Sequence, residues 1–257
     1  MAKKSLLAER LDEVRGKIAG ACARAKREIS DVTLVAVTKA AGPETIREMI
    51  QLGVNDLAES RVQQLIQRAS QVNEFLQRRG KHGDEHQQAN PIGVRWHMIG
   101  HLQRNKVKQL LPLIHCVHSI DSLRLAEEID TIALKLGLKI GVMMQINASE
   151  EGQKFGVAVG AAVHLGEQIA TMPNLQLVGL MTMAELSDDE KTIRNAFRRT
   201  REIFEEMKWQ KIGGNGFRHL SMGMSNDFEI AIEEGSTMVR IGSALFGAAP
   251  EEAEVPE

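Results

Sequence analysis

Residues 31 to 39 of this chain read Asp31-Val32-Thr33-Leu34-Val35-Ala36-Val37-Thr38-Lys39. The six residues before the lysine are small, β-branched or aliphatic, which predicts a fully buried strand of a parallel sheet. Because side chains alternate along a strand, Val35, Val37 and Lys39 are predicted to share one buried face. Burial lowers the pKa of an amine and makes a lysine a nucleophile that can form a Schiff base with a carbonyl. The alternative is that Lys39 only ends the strand and extends its ammonium group into water.

Composition excludes several classes of protein. The chain has 257 residues, 43% of them hydrophobic, which suffices for one large core or two small ones. The formal charge of −2 gives no general attraction to nucleic acid or to an anionic membrane. No apolar run has the length of a membrane span, and the first residues lead into a charged amphipathic pattern rather than a secretory signal. Cys22 and Cys116 fall in different predicted elements, so we expect no disulfide and a reducing cytosol.

The order of the predicted elements determines the fold class. Eight short apolar strands alternate with eight helical segments, which is typical of a (β/α)8 barrel of the TIM type. An additional helix from Ser5 to Glu28 precedes the first strand, with an apolar stripe that includes Leu6 and Leu11. A doubly wound open sheet is the competing fold, but neither Gly-x-Gly-x-x-Gly nor a P-loop follows the first strand. We therefore predict one barrel domain over residues 1–247.

Two polar segments interrupt or end this pattern. Residues Gly80 to Gly93 are predicted to form a surface loop in which His82 and His86 are solvated rather than bound to metal. The tail, residues 248–257, is acidic and contains proline, so we expect it to be disordered.

Two loops of the predicted barrel have the features of a phosphate site. Barrels of this type often bind phosphate after strands seven and eight, where this chain has Gly223-Met224-Ser225-Asn226 and Gly242-Ser243. Both loops offer free backbone N–H groups beside a hydroxyl, and glycine lets the backbone approach an anion. The alternatives are helix capping by Ser225 and Asn226, the latter paired with Glu229, and tight packing at Gly242.

Arg240 lies two residues before Gly242 and therefore on the same face of the last strand. A guanidinium group only donates hydrogen bonds, so Arg240 needs an acceptor at the mouth of the barrel. A pyridine nitrogen is one such acceptor in pyridoxal phosphate (PLP) sites, and a salt bridge to a carboxylate such as Glu59 is the alternative. The lysine, the phosphate loops and the arginine together indicate PLP. An aldolase acting on a phosphorylated sugar needs a similar lysine and similar loops, but Arg240 favours PLP.

Four segments of the sequence carry a resemblance to a known protein family. They are Leu34–Lys39, Trp96–Lys106, Gly179–Met183 and the longest, Leu220–Gly242, which continues to Phe246-Gly247. On these segments, and over nearly its whole length, the chain resembles the PLP homeostasis protein family, which is related to the N-terminal barrel domain of alanine racemase. Two departures affect other loops: Leu57-Ala58-Glu59-Ser60 replaces the usual Phe-Gly-Glu-Asn, and Ala40-Ala41-Gly42 replaces the commoner Thr-Lys-Pro.

The resemblance implies a set of roles. Lys39 would carry PLP as a Schiff base, and Arg240 would face the pyridine nitrogen. Ser225, Gly242 and Ser243 would hold the phosphate. The implied fold is the racemase barrel without the second β-domain of that enzyme, and the implied function is cytoplasmic PLP homeostasis with no established turnover.

The rival function is a weak PLP-dependent amino-acid racemase or lyase. A racemase needs an acid/base group on each face of its substrate, one being the lysine and the other commonly a tyrosine. This chain has no tyrosine, although His97, His118 or His219 could substitute. Lacking also a second domain that closes the site, the protein is better suited to holding PLP and handing it to apo-enzymes, as a monomer.

Two further patterns are expected to have no binding role. The spacing His97-x-x-x-His101 crosses a strand end and Gly100, so no metal site is expected and His97 is predicted to lie in the pocket wall or core. The basic cluster from Arg104 to Lys108 spans one helical turn of a near-neutral protein. A solvated face is therefore favoured over a contact with nucleic acid.

Overall fold

The computed structural model describes residues 4–81, 93–148 and 155–247. The strands in these ranges are β1 (Thr33–Val37), β2 (Asp56–Glu59), β3 (Arg95–Met98), β4 (Cys116–Ile120), β5 (Ile140–Asn147), β6 (Val157–Ala158), β7 (Leu175–Thr182), β8 (His219–Ser221) and β9 (Met238–Ile241). The α-helices are α1 (Leu6–Arg24), α2 (Pro43–Gln51), α3 (Val62–Lys81), α4 (Val107–Leu110), α5 (Leu123–Leu136), α6 (Ala162–Ala170), α7 (Glu190–Trp209), α8 (Phe228–Glu233) and α9 (Ser243–Phe246).

The strands close into a barrel. Neighbouring strands follow the order β4-β3-β2-β1-β9-β8-β7-β5, and β4 also pairs with β5. Every one of these pairings is parallel. The two-residue β6 only extends the sheet beside the end of β5. The predicted (β/α)8 barrel is therefore confirmed. None of the helices in the described ranges combines the length and the apolarity that a membrane span requires.

Two apolar clusters form the core. The larger one lies between the strands and the surrounding helices. The smaller one fills the inside of the barrel and consists of Val35, Val37, Ala58, Cys116, Met143, Met181 and Met238. Val35 and Val37, which are predicted to share one face, both belong to the inner cluster, so the alternation predicted for this strand sets the phase of β1 correctly.

Helix α1 covers the seam where the barrel begins and ends. It packs against α8 and α9, and because α9 has only four residues that sector needs another apolar cover. The helix buries Leu11 of the predicted stripe, together with Leu7, Val14 and Ile18. Leu6 was placed in the same stripe, but it is 62% exposed because it is the first residue of the helix.

Three predicted boundaries are wrong. The first strand ends at Val37, and residues Thr38–Ala40 form a 3₁₀ turn. The sequence pattern from Val157 to Ala170 predicts a helix, but the helix begins only at Ala162, because Val157 pairs with Ile146 of β5. The predicted loop from Gly80 begins with the last turn of α3. Residues 82–92 of that loop, with His82 and His86, and the predicted tail 248–257 lie outside the described residues.

Candidate functional site

The carboxyl ends of the strands surround a cavity of about 970 Å³. Its lining includes all five residues that the sequence singled out, namely Lys39, Ser225, Arg240, Gly242 and Ser243. These residues come from the ends of β1, β8 and β9, which are adjacent in the barrel. The fold therefore brings together groups that lie up to about two hundred residues apart in the sequence.

Lys39 lies in the turn after β1 and its side chain is exposed, whereas the sequence predicted a buried lysine at the end of the strand. The strand stops two residues early, so the lysine leaves the buried face. Its backbone is nevertheless fixed, because the guanidinium group of Arg68 donates to the carbonyl oxygens of Lys39 and Ala41 at 3.2 and 3.4 Å. The turn thus holds the lysine at the cavity while its amine remains free to move.

Glu59 also holds the turn that carries Lys39. It is fully buried, forms an ion pair with Arg68 and accepts a hydrogen bond from the hydroxyl of Thr38. Burial raises the pKa of the Glu59 carboxyl, and the bonds from Thr38 and Arg68 oppose that shift. The alternative salt bridge between Glu59 and Arg240 is therefore wrong, since Glu59 is committed to the turn that carries Lys39.

The two predicted phosphate loops meet through one hydroxyl group. Ser225 Oγ accepts hydrogen bonds from the backbone N–H of Gly242, at 3.3 Å, and of Ala244, at 3.2 Å. Two N–H donors of the last loop therefore converge on one oxygen atom, as they must in order to bind an anion. A Cβ atom on Gly242 would lie 3.4 Å from Val37, an ordinary contact, so tight packing does not explain this glycine.

The helix-capping alternative is not what the structure shows. Helix α8 begins at Phe228, its N-cap residue is Asp227, and no side chain caps it by a hydrogen bond. Asp227 instead accepts a hydrogen bond from the backbone N–H of Met224 and so braces the loop. Burial raises the pKa of the Asp227 carboxyl, an effect opposed by that bond and by the charge of Arg240.

Arg240 projects from β9 into the inside of the barrel and is only 3% exposed. Its guanidinium group donates to the backbone oxygen and the hydroxyl of Ser221, at 2.6 and 2.7 Å, and to the carbonyl of Thr182 at 2.9 Å. Burial lowers its pKa to about 10, so the group stays cationic at neutral pH. A buried cation at the wall of the cavity is thus held by neutral acceptors.

The histidines considered as acid/base groups do not line the cavity in the described part of the chain. His97 and His118 are buried inside the barrel and hydrogen-bonded to each other, which agrees with the core position predicted for His97. Burial lowers the pKa of His219 to about 4. His101 does line the cavity, where it stacks on Phe155 with ring centroids 4.4 Å apart and bonds to Asp121. His97 and His101 therefore do not face a common site.

The basic cluster from Arg104 to Lys108 runs from a 3₁₀ turn into α4. Arg104 and Lys108 are exposed, while Val107 is buried. That these exposed charges have no nucleic-acid partner stays a prediction.

Sequence reasoning missed the residues that position the predicted ones. Arg68 belongs to a helix rich in glutamine and arginine, and no local pattern singles it out. Asp56 and Ser221 were also overlooked, although a usable signal exists: both are polar residues in short strands of the predicted barrel. Such strands are buried on both faces in a barrel, so their polar members have partners inside the protein.

Comparisons with known proteins cover nearly the whole chain. The alanine racemase N-terminal domain family matches residues 14–250. A relative from Aquifex aeolicus, named pyridoxal phosphate homeostasis protein, is 37% identical over 239 residues, which are 93% of this chain and 96% of the relative.

Two solved structures have the same fold. PipY of Synechococcus elongatus, solved with PLP bound, superposes with a TM-score of 0.76 at 28% identity and covers 94% of this chain and 100% of that one. Alanine racemase of Clostridium difficile superposes with a TM-score of 0.70 at 16% identity, over 96% of this chain but only 57% of the racemase. At that identity the racemase shows the fold alone.

Proposed function

Because the chain belongs to the pyridoxal phosphate homeostasis protein family, we propose that it binds PLP in the cavity at the mouth of the barrel and serves intracellular PLP homeostasis. One observation carries the proposal. The residues that could hold an aldehyde, a phosphate and a pyridine nitrogen line a single cavity, and Lys39 is the one lysine among its lining residues in the described chain. The binding of PLP by PipY, which covers nearly the same length, supports it.

Lys39 is proposed to hold the cofactor covalently. Its amine attacks the aldehyde carbon of PLP, a C=N bond forms, and the aldehyde oxygen leaves as water. Because the backbone at Lys39 is held by Arg68 while the side chain is exposed, the amine can reach an incoming aldehyde without rearrangement of the turn. The ion pair between buried Glu59 and partly buried Arg68 supports this geometry.

The loops after β8 and β9 are proposed to bind the phosphate. The backbone donors of Gly242 and Ala244 already point at one oxygen atom, Ser225 Oγ, so the polarity of the loop fits an anion. Ser225 can turn its hydroxyl toward a phosphate oxygen, and Ser243 is exposed beside it. Gly242 leaves the backbone open to close approach.

Arg240 is proposed to donate to the pyridine nitrogen. A guanidinium donor leaves this nitrogen unprotonated, and an unprotonated ring is a weaker electron sink. The arrangement therefore favours holding PLP over chemistry on an amino acid. Since His97, His118 and His219 do not line the cavity, they also provide no second acid/base group opposite the lysine.

Three parts of the proposal concern the cellular setting. We propose that the protein works in the cytosol, as a monomer, and passes PLP to apo-enzymes. The free thiols of Cys22 and Cys116, both buried, suit a reducing compartment. The open mouth of the barrel suits release of the cofactor, and gel filtration with light scattering would test the monomer.

Borohydride reduction tests the site. Protein loaded with PLP is reduced, digested and mapped by mass spectrometry, with the variant Lys39→Arg treated alongside. The proposal predicts a pyridoxyl group on Lys39 in the wild type and a loss of the modified peptide in the variant. A modification on another lysine that persists in Lys39→Arg would refute it.

A second assay separates carrier from enzyme. The loaded protein is incubated with single enantiomers of amino acids, and racemisation is compared with that caused by the same concentration of free PLP. The proposal predicts no excess over free PLP. Sustained turnover above that rate would instead establish the racemase alternative.

A further inference from the structure

A chain of hydrogen bonds crosses the inside of the barrel below the cavity. It begins at Asp56, at the amino end of β2, whose Oδ1 lies 3.0 Å from His97 Nε2. His97 Nδ1 is 2.9 Å from His118 Nε2, and His118 Nδ1 is 2.9 Å from Ser221 Oγ. Ser221 Oγ is in turn the acceptor for Arg240 Nη1 at 2.7 Å. The chain therefore ends on the arginine that lines the cavity.

Every member of this chain is buried. The exposed fraction is at most 6% for each of the five residues, and the side chains around them are the valines, methionines and cysteine of the inner cluster. In so apolar a setting an unpaired polar group costs about 1–3 kcal/mol, so each hydrogen-bonding position must be satisfied. This requirement fixes which atom carries each proton.

The two ends of the chain have fixed roles. Arg240 can only donate. Burial acts to raise the pKa of the Asp56 carboxyl, but hydrogen bonds from His97 and Arg95 outweigh it and hold the pKa at about 2. Asp56 is therefore a carboxylate that can only accept. Between one pure donor and one pure acceptor, the intermediate groups have to pass hydrogen bonds in one direction.

The direction determines the tautomers. Ser221 accepts from Arg240 and donates its hydroxyl hydrogen to His118 Nδ1. Burial lowers the pKa of His118 well below its ordinary value, so its neutral ring carries the hydrogen on Nε2 and donates it to His97 Nδ1. Because His97 Nδ1 accepts this bond, the hydrogen of His97 lies on Nε2, which donates it to Asp56. In the reverse order His97 would donate from Nδ1 and leave its Nε2 without a hydrogen against the Asp56 carboxylate.

We propose that Asp56, His97, His118 and Ser221 form a positioning relay that fixes the hydroxyl of Ser221 as an acceptor and thereby orients the guanidinium group of Arg240 toward the ligand. The relay is inferred from the set of hydrogen bonds inside the barrel. Its consequence for the ring of PLP rests on the proposed function. Asp56, His97, His118 and Ser221 do not line the cavity, so they act through Arg240, which does.

A metal site is the competing reading of part of this cluster. Ligand atoms of His97, Cys116 and His118 lie within 4.8 Å of one another. Both nitrogens of each imidazole are already hydrogen-bonded, however, and burial raises the pKa of the Cys116 thiol, so it stays protonated rather than becoming a thiolate ligand. The hydrogen bonds of the relay use all four ring nitrogens of His97 and His118.

The surrounding charges do not disturb this pattern. Arg95 donates from Nε to Asp56 at 2.7 Å and keeps it ionised. His115 lies edge-on to His97 with ring centroids 5.7 Å apart, and burial lowers its pKa. His219, with a pKa of about 4, is also neutral at neutral pH.

The tautomers can be measured in ligand-free protein. Histidine labelled with ¹⁵N distinguishes the two tautomers by the couplings between ring protons and each nitrogen, and His→Gln variants assign the signals. The relay predicts that His97 and His118 both carry the hydrogen on Nε2. A hydrogen on Nδ1 of either ring, or both forms in equal amounts, would overturn it. This result does not depend on PLP.

A second arm uses Asp56→Ala, with Asp130→Ala as the matched control. Asp130 also accepts two hydrogen bonds, from the backbone and side chain of Asn174, but lies on α5 outside the barrel. The relay predicts that Asp56→Ala populates the second tautomer of His118 and changes the absorption spectrum of bound PLP, whereas Asp130→Ala changes neither. Unchanged tautomers and spectrum in Asp56→Ala would refute the relay.

The proposed function and the positioning relay can be refuted independently of each other. If wild-type protein gives no pyridoxyl group on Lys39 after reduction, the proposed function fails, while the histidine tautomers still decide the relay. If the group forms on Lys39 but the tautomers are reversed, the relay alone is wrong.

Discussion

Gly223 provides a quantitative test of the loop that is proposed to hold phosphate. Its φ of +90° lies in the left-handed region, and a Cβ atom there would come within 2.6 Å of the Ala231 side chain and 2.8 Å of Phe228 Cα. The loop thus crosses the start of α8 at a distance that only glycine permits. The carbonyl of Gly223 also accepts from the backbone N–H of Arg240 at 3.0 Å, which ties this loop to the last strand.

Replacing Gly223 with alanine should destabilise the protein by two separable effects. The left-handed backbone costs an L-residue about 1–2 kcal/mol. Overlap with a backbone atom of the helix, which cannot move aside cheaply, adds about 1–3 kcal/mol by the usual cost of overpacking. Gly53→Ala isolates the first effect, because Gly53 has a φ of +85° and no atom within 4 Å of the added Cβ, and the difference between the two variants then gives the second.

Urea denaturation of wild type, Gly223→Ala and Gly53→Ala measures both effects. Gly223→Ala should be less stable than Gly53→Ala by about 1–3 kcal/mol, and its affinity for PLP should fall because the loop must move. Equal stability of the two variants would show that the loop does not lie as close to α8 as described.

Three further predictions follow from burial, charge and hydrogen bonding. Leu11→Ala should cost about 2–5 kcal/mol in urea denaturation, because Leu11 is 1% exposed, whereas Leu6→Ala should change stability by less than about 0.5 kcal/mol; equal costs would contradict the packing of α1. The lowered pKa of Asp56, about 2, contributes about 2 kcal/mol of stability above pH 4 that is lost as the pH falls toward 2, and Asp56→Asn should remove that part of the pH dependence; an unchanged profile would refute the charge assigned to Asp56. Arg240→Gln should weaken PLP binding about tenfold or more in an absorbance titration, since a charge-assisted hydrogen bond contributes about 1.5–3 kcal/mol; unaltered affinity and spectrum would exclude the contact with the ring.

The fold was predictable because its signals are local and repeat along the chain. Apolar strands alternate with amphipathic helices, and the closing order of a parallel barrel follows from that alternation. The inward phase of Val35 and Val37 was correct for the same reason. The position of Lys39 was not, since the end of a strand depends on the partners of the following turn. Here those partners are Arg68 and Glu59, which no local pattern connects to the lysine.

Of the candidate site, the residues that line the cavity could be predicted, but the buried residues that hold them in place could not. Glycine beside serine at the ends of two strands, and an arginine in the last strand, are visible in the sequence because barrels place ligands there. The relay was not, because it joins β2, β3, β4 and β8 through side chains far apart along the chain. His97 and His118 were each considered separately, as a core residue or as an acid/base group. Their 2.9 Å contact appears only when the barrel closes.

A crystal structure of the protein with PLP tests the central claim most directly. It should show density continuous from Lys39 Nζ to the cofactor, the phosphate against Ser225 and Gly242, and the pyridine nitrogen next to Arg240. PLP joined to another lysine, or a phosphate bound away from the loops after β8 and β9, would contradict it.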